Sequence, residues 1–226
     1  MANKVKVAIF DFCGTCVNFQ TADAYIDYAT KDFIDAKTLQ KSEAKRKRLL
    51  KLRIIQLHDR FFKSSLNKRI IAQRIKGMKY EDADKRAINY IKDKIEPALI
   101  KETIDLFKEY KSSGAYTLFI SAAYDIYLSK FVQKYGFDGM VSTKLISKNG
   151  VMLGKIKDDC VGKRKAKEAI KYLDNKFGKG NYEIVFSIGD SKTDIPILEL
   201  AQRKVVISTK HQDWVKENFE EIIYVH

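Results

Sequence analysis

Residues 5–15 read VKVAIFDFCGT, and this stretch decides the fold. Val5, Val7 and Ile9 alternate into Ala8 and Phe10, a short apolar run rich in β-branched residues that suits a buried parallel strand. The run stops at Asp11, and Gly14 and Thr15 then supply a tight polar turn. A carboxylate at the carboxyl end of a central strand sits where open α/β sheets bind ligands. An aspartate there can serve as nucleophile or metal ligand, or can simply cap the turn that follows. The stretch alone leaves these readings open.

The chain has 226 residues, 45% of them hydrophobic, enough for one large α/β domain or a core with a small inserted unit. Disorder is excluded on that composition. No run approaches the roughly 18 apolar residues of a membrane span, and the early strand leaves no room for a signal peptide. Three cysteines, an odd number, argue against a disulfide framework. A cytoplasmic protein with no membrane partner is therefore expected. The net charge of +14 could serve nucleic acid, an acidic membrane or anionic small molecules. We read it as a solvated basic surface, and the run Lys45 to Lys51 (KRKRLLK) as a solvated helix face. Nucleic acid is disfavoured as a partner, and the oligomeric state is not legible.

From Asn18 to Glu96 apolar residues fall at helical spacings, for example Tyr25, Tyr28 and Ala29 or Ala83, Ala87 and Ile91. Gly77 reads as a break within this helical block. After Pro97, strands and helices alternate: Tyr116–Ile120, a helix through Phe131, a hairpin turning at Asn149-Gly150, a helix over Arg164–Phe177, Tyr182–Ile188, Val205–Ser208 and Ile222–Val225. This predicts a three-layer Rossmann-like α/β core with a parallel sheet, formed by residues 1–16 and 97–226, with an inserted helical cap over residues 17–96.

Three predicted strands end at Asp11, Ser121 and Asp190, which a parallel sheet brings to one edge. Two carboxylates can hold Mg²⁺, and a hydroxyl and a lysine can hold phosphate oxygens. Together they make a phosphoryl-transfer site. Asp11-Phe12-Cys13-Gly14-Thr15, Ser121, Lys165 and Gly189-Asp190-Ser191-Lys192-Thr193-Asp194 resemble, in order and strand context, the four motifs of the haloacid dehalogenase superfamily. Cys160-Val161-Gly162 before Lys165, with a cap after the first motif, resembles its phosphoserine-phosphatase-like branch (subclass IB). The resemblance covers nearly the whole chain.

It implies a phosphatase in which Asp11 attacks phosphorus and becomes an aspartyl-phosphate. Mg²⁺ would be held by Asp11, the backbone carbonyl of Cys13 and Asp190, with Asp194 assisting. Ser121 and Ala122 would meet the phosphoryl group, and Lys165, in preference to Lys163, would neutralise it. In the cap, Gln20 and Arg69 fall at the family's substrate-binding positions. A small phosphorylated metabolite is the implied partner: an amino-alcohol, glycerol, sugar or amino-acid phosphate.

The departures narrow this picture. Cys13 stands where the family's phosphatases carry the Asp that protonates the leaving group and then activates water. A thiol can donate a proton but resists acting as a base beside phosphate. Gln20 replaces a Glu that meets an ammonium, which weakens the case for phosphoserine itself. Phosphotransfer to an acceptor alcohol, or a catalytically weak basic binding module, are the alternatives. Cys13 and Cys16 form a Cys-x-x-Cys, read as two reduced thiols rather than a redox switch. His58, His211 and His226 show no metal-ligand spacing, and Trp214 is read as core.

Overall fold

The computed structural model describes residues 4–62, 65–209, 214–215, 219 and 221–225. Its central strand is β1 (Val5–Phe10), buried from Val7 onward. β2 (Tyr116–Tyr124) and β5 (Tyr182–Gly189) flank it, both parallel to it. β3 (Gly139–Lys148) continues the parallel sheet on one side, β6 (Arg203–Ser208) and β7 (Glu221–Tyr224) on the other. β4 (Val151–Lys157) runs antiparallel to β3. Asn149 and Gly150 both take positive φ between them, the tight turn that their sequence predicts. The strand order is β4-β3-β2-β1-β5-β6-β7.

The two-residue period of β1 divides its side chains between two cores. Val7 and Ile9 pack with Leu118, Ile120 and Ile184 against α8 (Lys163–Phe177), through Ala169 and Leu173. Ala8 and Phe10 pack with Phe119 and Ile188 against α6 (Lys101–Ser112) and α7 (Asp125–Tyr135). Helices on both faces of a mainly parallel sheet give the three-layer α/β architecture. The sequence ended the second strand at Ser121. β2 instead runs on to Tyr124, with an irregular register against β3 after Ser121.

Between β1 and β2 lie α1 (Thr21–Thr30), α2 (Ala36–Lys51), α3 (Ile54–Phe62), α4 (Leu66–Ala72) and α5 (Tyr80–Tyr90). The chain leaves and re-enters the core at one neck, where Val17 bridges Leu99 and the Ile100 N–H donates to the Cys16 carbonyl at 2.9 Å. The helical unit does not have a core of its own. Tyr25 and Tyr90 pack on Tyr127 of α7 with ring centroids 5.0 and 5.3 Å away, inside the same apolar cluster as Phe10. On the far side, Gly77 and Tyr80 donate to the carbonyls of Met152 and Gly150 at 2.9 and 2.8 Å, and Met152 donates to Met78 at 2.8 Å. This short ladder zips the turn before α5 onto β4.

Gly154 makes the close approach of β4 to the helical unit possible. It has φ +64°, and a Cβ there would stand 2.9 Å from Lys76 Cβ and 3.0 Å from Gln73 Cα. Gly154→Ala is expected to lower the free energy of unfolding by roughly 1–3 kcal/mol, from a strained φ added to this collision. Urea denaturation of the variant checks it, and an unchanged midpoint would mean that the ladder tolerates separation.

Candidate active site

Phe10 pairs with Phe119 on one side and with Ile188 on the other. The residues just beyond these pairs, Asp11, Ser121 and Asp190, therefore stand together at the carboxyl edge of the sheet. Asp11 is 2% exposed, and its N–H donates to the Ile188 carbonyl at 3.1 Å. Lys165, buried in the first turn of α8, donates from Nζ to Asp11 Oδ1 at 2.7 Å and to Asp194 Oδ1 at 2.5 Å. Thr15 Oγ1 donates to Asp11 Oδ2 at 3.2 Å. Asp194 Oδ2 accepts from the Ser191 N–H and hydroxyl at 3.2 and 2.7 Å, which fixes the turn after β5.

Gly14 has φ +79°, and a Cβ on it would lie 2.1 Å from Asp190 Oδ2. Glycine alone lets the first loop pass this carboxylate. Asp11, Asp190 and Asp194 thus each offer an oxygen within 4.8 Å of one another. Burial, then repulsion from Asp194, raises the Asp11 carboxyl above the ordinary range, and burial with both neighbouring carboxylates raises that of Asp190. Lys165 is pulled the other way: burial opposes its charge, yet Asp11 and Asp194 hold it protonated.

Three carboxylates against one ammonium leave an excess of hard oxygen donors, a set that suits a divalent cation such as Mg²⁺. Asp190 is the freest of the three, with Thr15 Oγ1 at 3.5 Å from its Oδ1. Asp194, with both oxygens engaged, braces Lys165 instead.

A cavity of about 320 Å³ opens above this cluster, lined by Cys13, Gln20, Ser121 and Ala122 among others. Ser121 is buried, and its Oγ accepts from the Ala123 N–H at 3.0 Å, which leaves the hydroxyl proton for an incoming oxygen. Cys13 Sγ lies 3.1 Å from Thr21 Oγ1, which in turn lies 2.7 Å from the Tyr127 hydroxyl. Burial and the nearby Asp11 raise the Cys13 thiol, so it stays protonated.

A profile described as haloacid dehalogenase-like hydrolase matches residues 8–199. The chain belongs to this family. Its sequence is 28% identical, over 93% of the chain and 89% of the relative, to a phosphoserine phosphatase of Methanocaldococcus jannaschii. Among solved structures, a Bordetella pertussis protein of unknown function superposes with a TM-score of 0.75 at 14% identity, covering 98% of this chain and 99% of that one. A phospho-aspartyl intermediate analogue of phosphoserine phosphatase superposes with a TM-score of 0.62 at 20% identity, covering 98% and 93%. These two likenesses concern the fold. The family match makes the protein a hydrolase.

One residue expected at the substrate lies apart from the cavity in this hydrolase. Arg69 is exposed on α4 and does not line the cavity, whereas Lys68 does. One step along a helix turns a side chain by about 100°, so neighbouring residues of α4 face the cavity and solvent respectively. Lys68 is buried, and its Nζ donates to the Ala122 carbonyl and to Asp159 Oδ1, both at 2.7 Å. Asp159 Oδ2 accepts from the Ser65 N–H at 2.7 Å. Neither Lys68 nor Asp159 was singled out from sequence. The available signal was Ser65, the α4 N-cap that accepts from the Lys68 N–H and sets the phase of the helix.

The remaining expectations are placed as follows. Lys163 is exposed, while Lys165 is in the cluster. Cys16 donates to the Asp11 carbonyl at 3.1 Å, so the two thiols of the Cys-x-x-Cys have separate partners and both are free. Gln20 is exposed at the start of α1 but borders the cavity. His58 lies 3.1 Å from Asp59, and His211 and His226 fall outside the described residues. Trp214 is half-buried against the cluster of Leu198, Val206 and Phe219. No helix of the described residues is long and apolar enough to cross a membrane.

Lys68→Met leaves Asp159 buried without its cation and is expected to cost about 3–5 kcal/mol of stability. Arg69→Ala should stay within about 0.5 kcal/mol of the parent, and parallel urea titrations separate the two. The carboxylate cluster makes a second prediction. In the native state Asp11 and Asp190 keep protons that the unfolded chain releases above about pH 4. Metal-free protein should therefore lose stability as pH rises from about 4 towards neutral. Saturating Mg²⁺ should flatten that slope, and melting curves in EDTA and in Mg²⁺ across the range test it; identical slopes would remove the cation from this site.

Proposed function

We propose that the protein is a Mg²⁺-dependent phosphatase of a small polar phosphomonoester, acting through an aspartyl-phosphate on Asp11. The carrying observation is the buried Asp11 carboxylate, held on one oxygen by Lys165 and on the other by Thr15, beside Ser121 at the foot of the cavity. That support for the reading is local chemistry, and the phosphoserine phosphatase relative agrees with it.

In this reading Asp11 attacks phosphorus, and the P–O bond to the alcohol breaks on the opposite side. Lys165 and the Ser121 hydroxyl offset the negative charge on the phosphoryl oxygens. Asp11 and Asp190, with the Cys13 carbonyl, would hold Mg²⁺, whose contribution is to neutralise phosphate charge. The departing alkoxide takes its proton from water, since the Cys13 thiol is held protonated. Water then opens the acyl phosphate, returns Asp11 and releases inorganic phosphate. Held protonated by burial and the nearby Asp11, the Cys13 thiol offers the attacking water no base, so hydrolysis of the aspartyl-phosphate is the slow half. The same observation favours a second reading in which an acceptor alcohol takes the phosphoryl group in place of water.

Residues 17–96 act as the cap that selects the substrate. Gln20 brings no charge for an ammonium, Arg69 is turned to solvent, and Lys68 is committed to Asp159 and Ala122. Asp23 and Asn67 complete a polar, hydrogen-bonding wall, with Asn67 Nδ2 donating to Asp23 Oδ2 at 3.2 Å. Amino-alcohol, glycerol and sugar phosphates suit it better than phosphoserine among the amino-acid phosphates.

Phosphate release from such a panel should require Mg²⁺, stop in EDTA and vanish in Asp11→Asn. No release above the Asp11→Asn background on any member would overturn the reading. Cys13→Asp should raise turnover by roughly 10²–10⁴-fold on a slow substrate, the usual worth of a general acid–base group. Steady-state kinetics with and without an added acceptor alcohol would show whether the gain falls on hydrolysis.

A further inference from the structure

α2 and α3 form a helical hairpin that the catalytic chemistry does not use. Its corner is Leu52-Arg53, where Arg53 takes the left-handed conformation at φ 56° and donates its N–H to the Leu50 carbonyl at 3.0 Å. α2 contributes no buried side chain. α3 turns Ile55 inward at 4% exposure but leaves Ile54 at 40%, Leu57 at 53% and Phe61 at 74%. Positions 54, 57 and 61 share one side of a helix, and Leu52, 55% exposed, adjoins them at the corner. A second apolar side on a short surface helix has no folding role, since burial of Ile55 already seats the helix.

The charge around this stripe is one-sided. Residues 36–62 carry nine Lys or Arg and two Asp or Glu, a net of +7. Lys45, Lys47, Arg48, Lys51 and Arg53 are all exposed, and among the described residues none forms an ion pair. Arg46 alone is drawn inward, to Glu43 and to Asn67 Oδ1 at 3.5 Å. Asn67 lines the catalytic cavity, so the hairpin is one hydrogen bond from its wall.

We propose that the α2–α3 hairpin docks the protein on an anionic lipid surface, with Leu52, Ile54, Leu57 and Phe61 entering the acyl boundary and the basic side chains meeting the headgroups. This is attachment to one face of a bilayer, with no spanning helix. Nucleic acid would take the cations but leave the aliphatic stripe in water. A second copy seated on this face would bring two sets of +7 together. A bilayer rich in anionic lipid satisfies both halves of the surface at once. Docking there sets the wall of the catalytic cavity close to the membrane.

Flotation with phosphatidylcholine vesicles, with and without phosphatidylserine, tests this directly. The full chain should float with the anionic vesicles and not with the neutral ones, and added salt should weaken the association. Leu57→Asp/Phe61→Asp and, separately, Lys47→Glu/Arg48→Glu should each reduce the bound fraction by about tenfold or more. Unchanged thermal melting would show that both variants fold, as expected for exposed positions. Failure of the parent chain to float, or undiminished flotation of the Leu57/Phe61 variant, would overturn the proposal. So would a dimer in light scattering that Phe61→Asp converts to monomer, because the stripe would then be covered by a second copy. Binding is read without turnover, so the outcome is independent of the phosphatase reading.

Discussion

The structure depends on one ammonium. Lys165 lies out of water between Asp11 and Asp194, and it ties the end of β1 to the turn after β5 through α8. Without that positive charge, three carboxylates from two strands could not share the same few ångströms of buried space. The same contact therefore closes the carboxyl edge of the sheet and poises Asp11. A buried ion pair contributes less to stability than its Coulomb energy suggests, because both partners lose water. Its value here is geometric: it fixes the direction of a carboxylate that would otherwise rotate.

Around that point the fold separates two tasks. The two faces of β1 are sealed by independent apolar clusters, which keeps the strand end from shifting. Gly14 lets Asp190 pass within a distance that any side chain would block. The helical unit then covers the edge from above, held at the neck, at the Tyr25–Tyr90–Tyr127 cluster and along β4. At the cavity it contributes Gln20, Ser65 and Asn67 together with two charged groups, Asp23 and a Lys68 already paired with Asp159 of the core.

The sheet and the residues gathered at its carboxyl edge were legible in the sequence because each rests on a local signal. Apolar β-branched runs ending in Asp or Ser mark β1, β2 and β5, and Asn149-Gly150 marks the hairpin. The helical insertion was legible as helix, but its packing was not. Helical spacing at Leu49, Leu50 and Leu52 suggested an inward face, yet Leu49 and Leu50 are only half-buried and Leu52 is in solvent. Periodicity reports that a helix has an apolar side, and not what the side touches. The exchange of Arg69 for Lys68 has a related cause. Motif spacing carries no helix phase, which the Ser65 cap and the Asp159 carboxylate supply only once the chain is folded. Asp159 lies more than ninety positions from Ser65, so no local pattern joins them.

The three anchors of the helical unit also constrain how the cavity can be reached. A lid on a single hinge swings as a body, but here the neck, α1 with α5, and the turn at Gly77 are all fastened to the core. α4 is fastened as well, by Ile71 and Ala72 in the main apolar cluster and, beside the cavity, by the Lys68–Asp159 pair and the Lys68 bond to Ala122. Lys68 ends on the carbonyl next to Ser121, so a displacement of α4 is passed directly to the backbone at the end of β2.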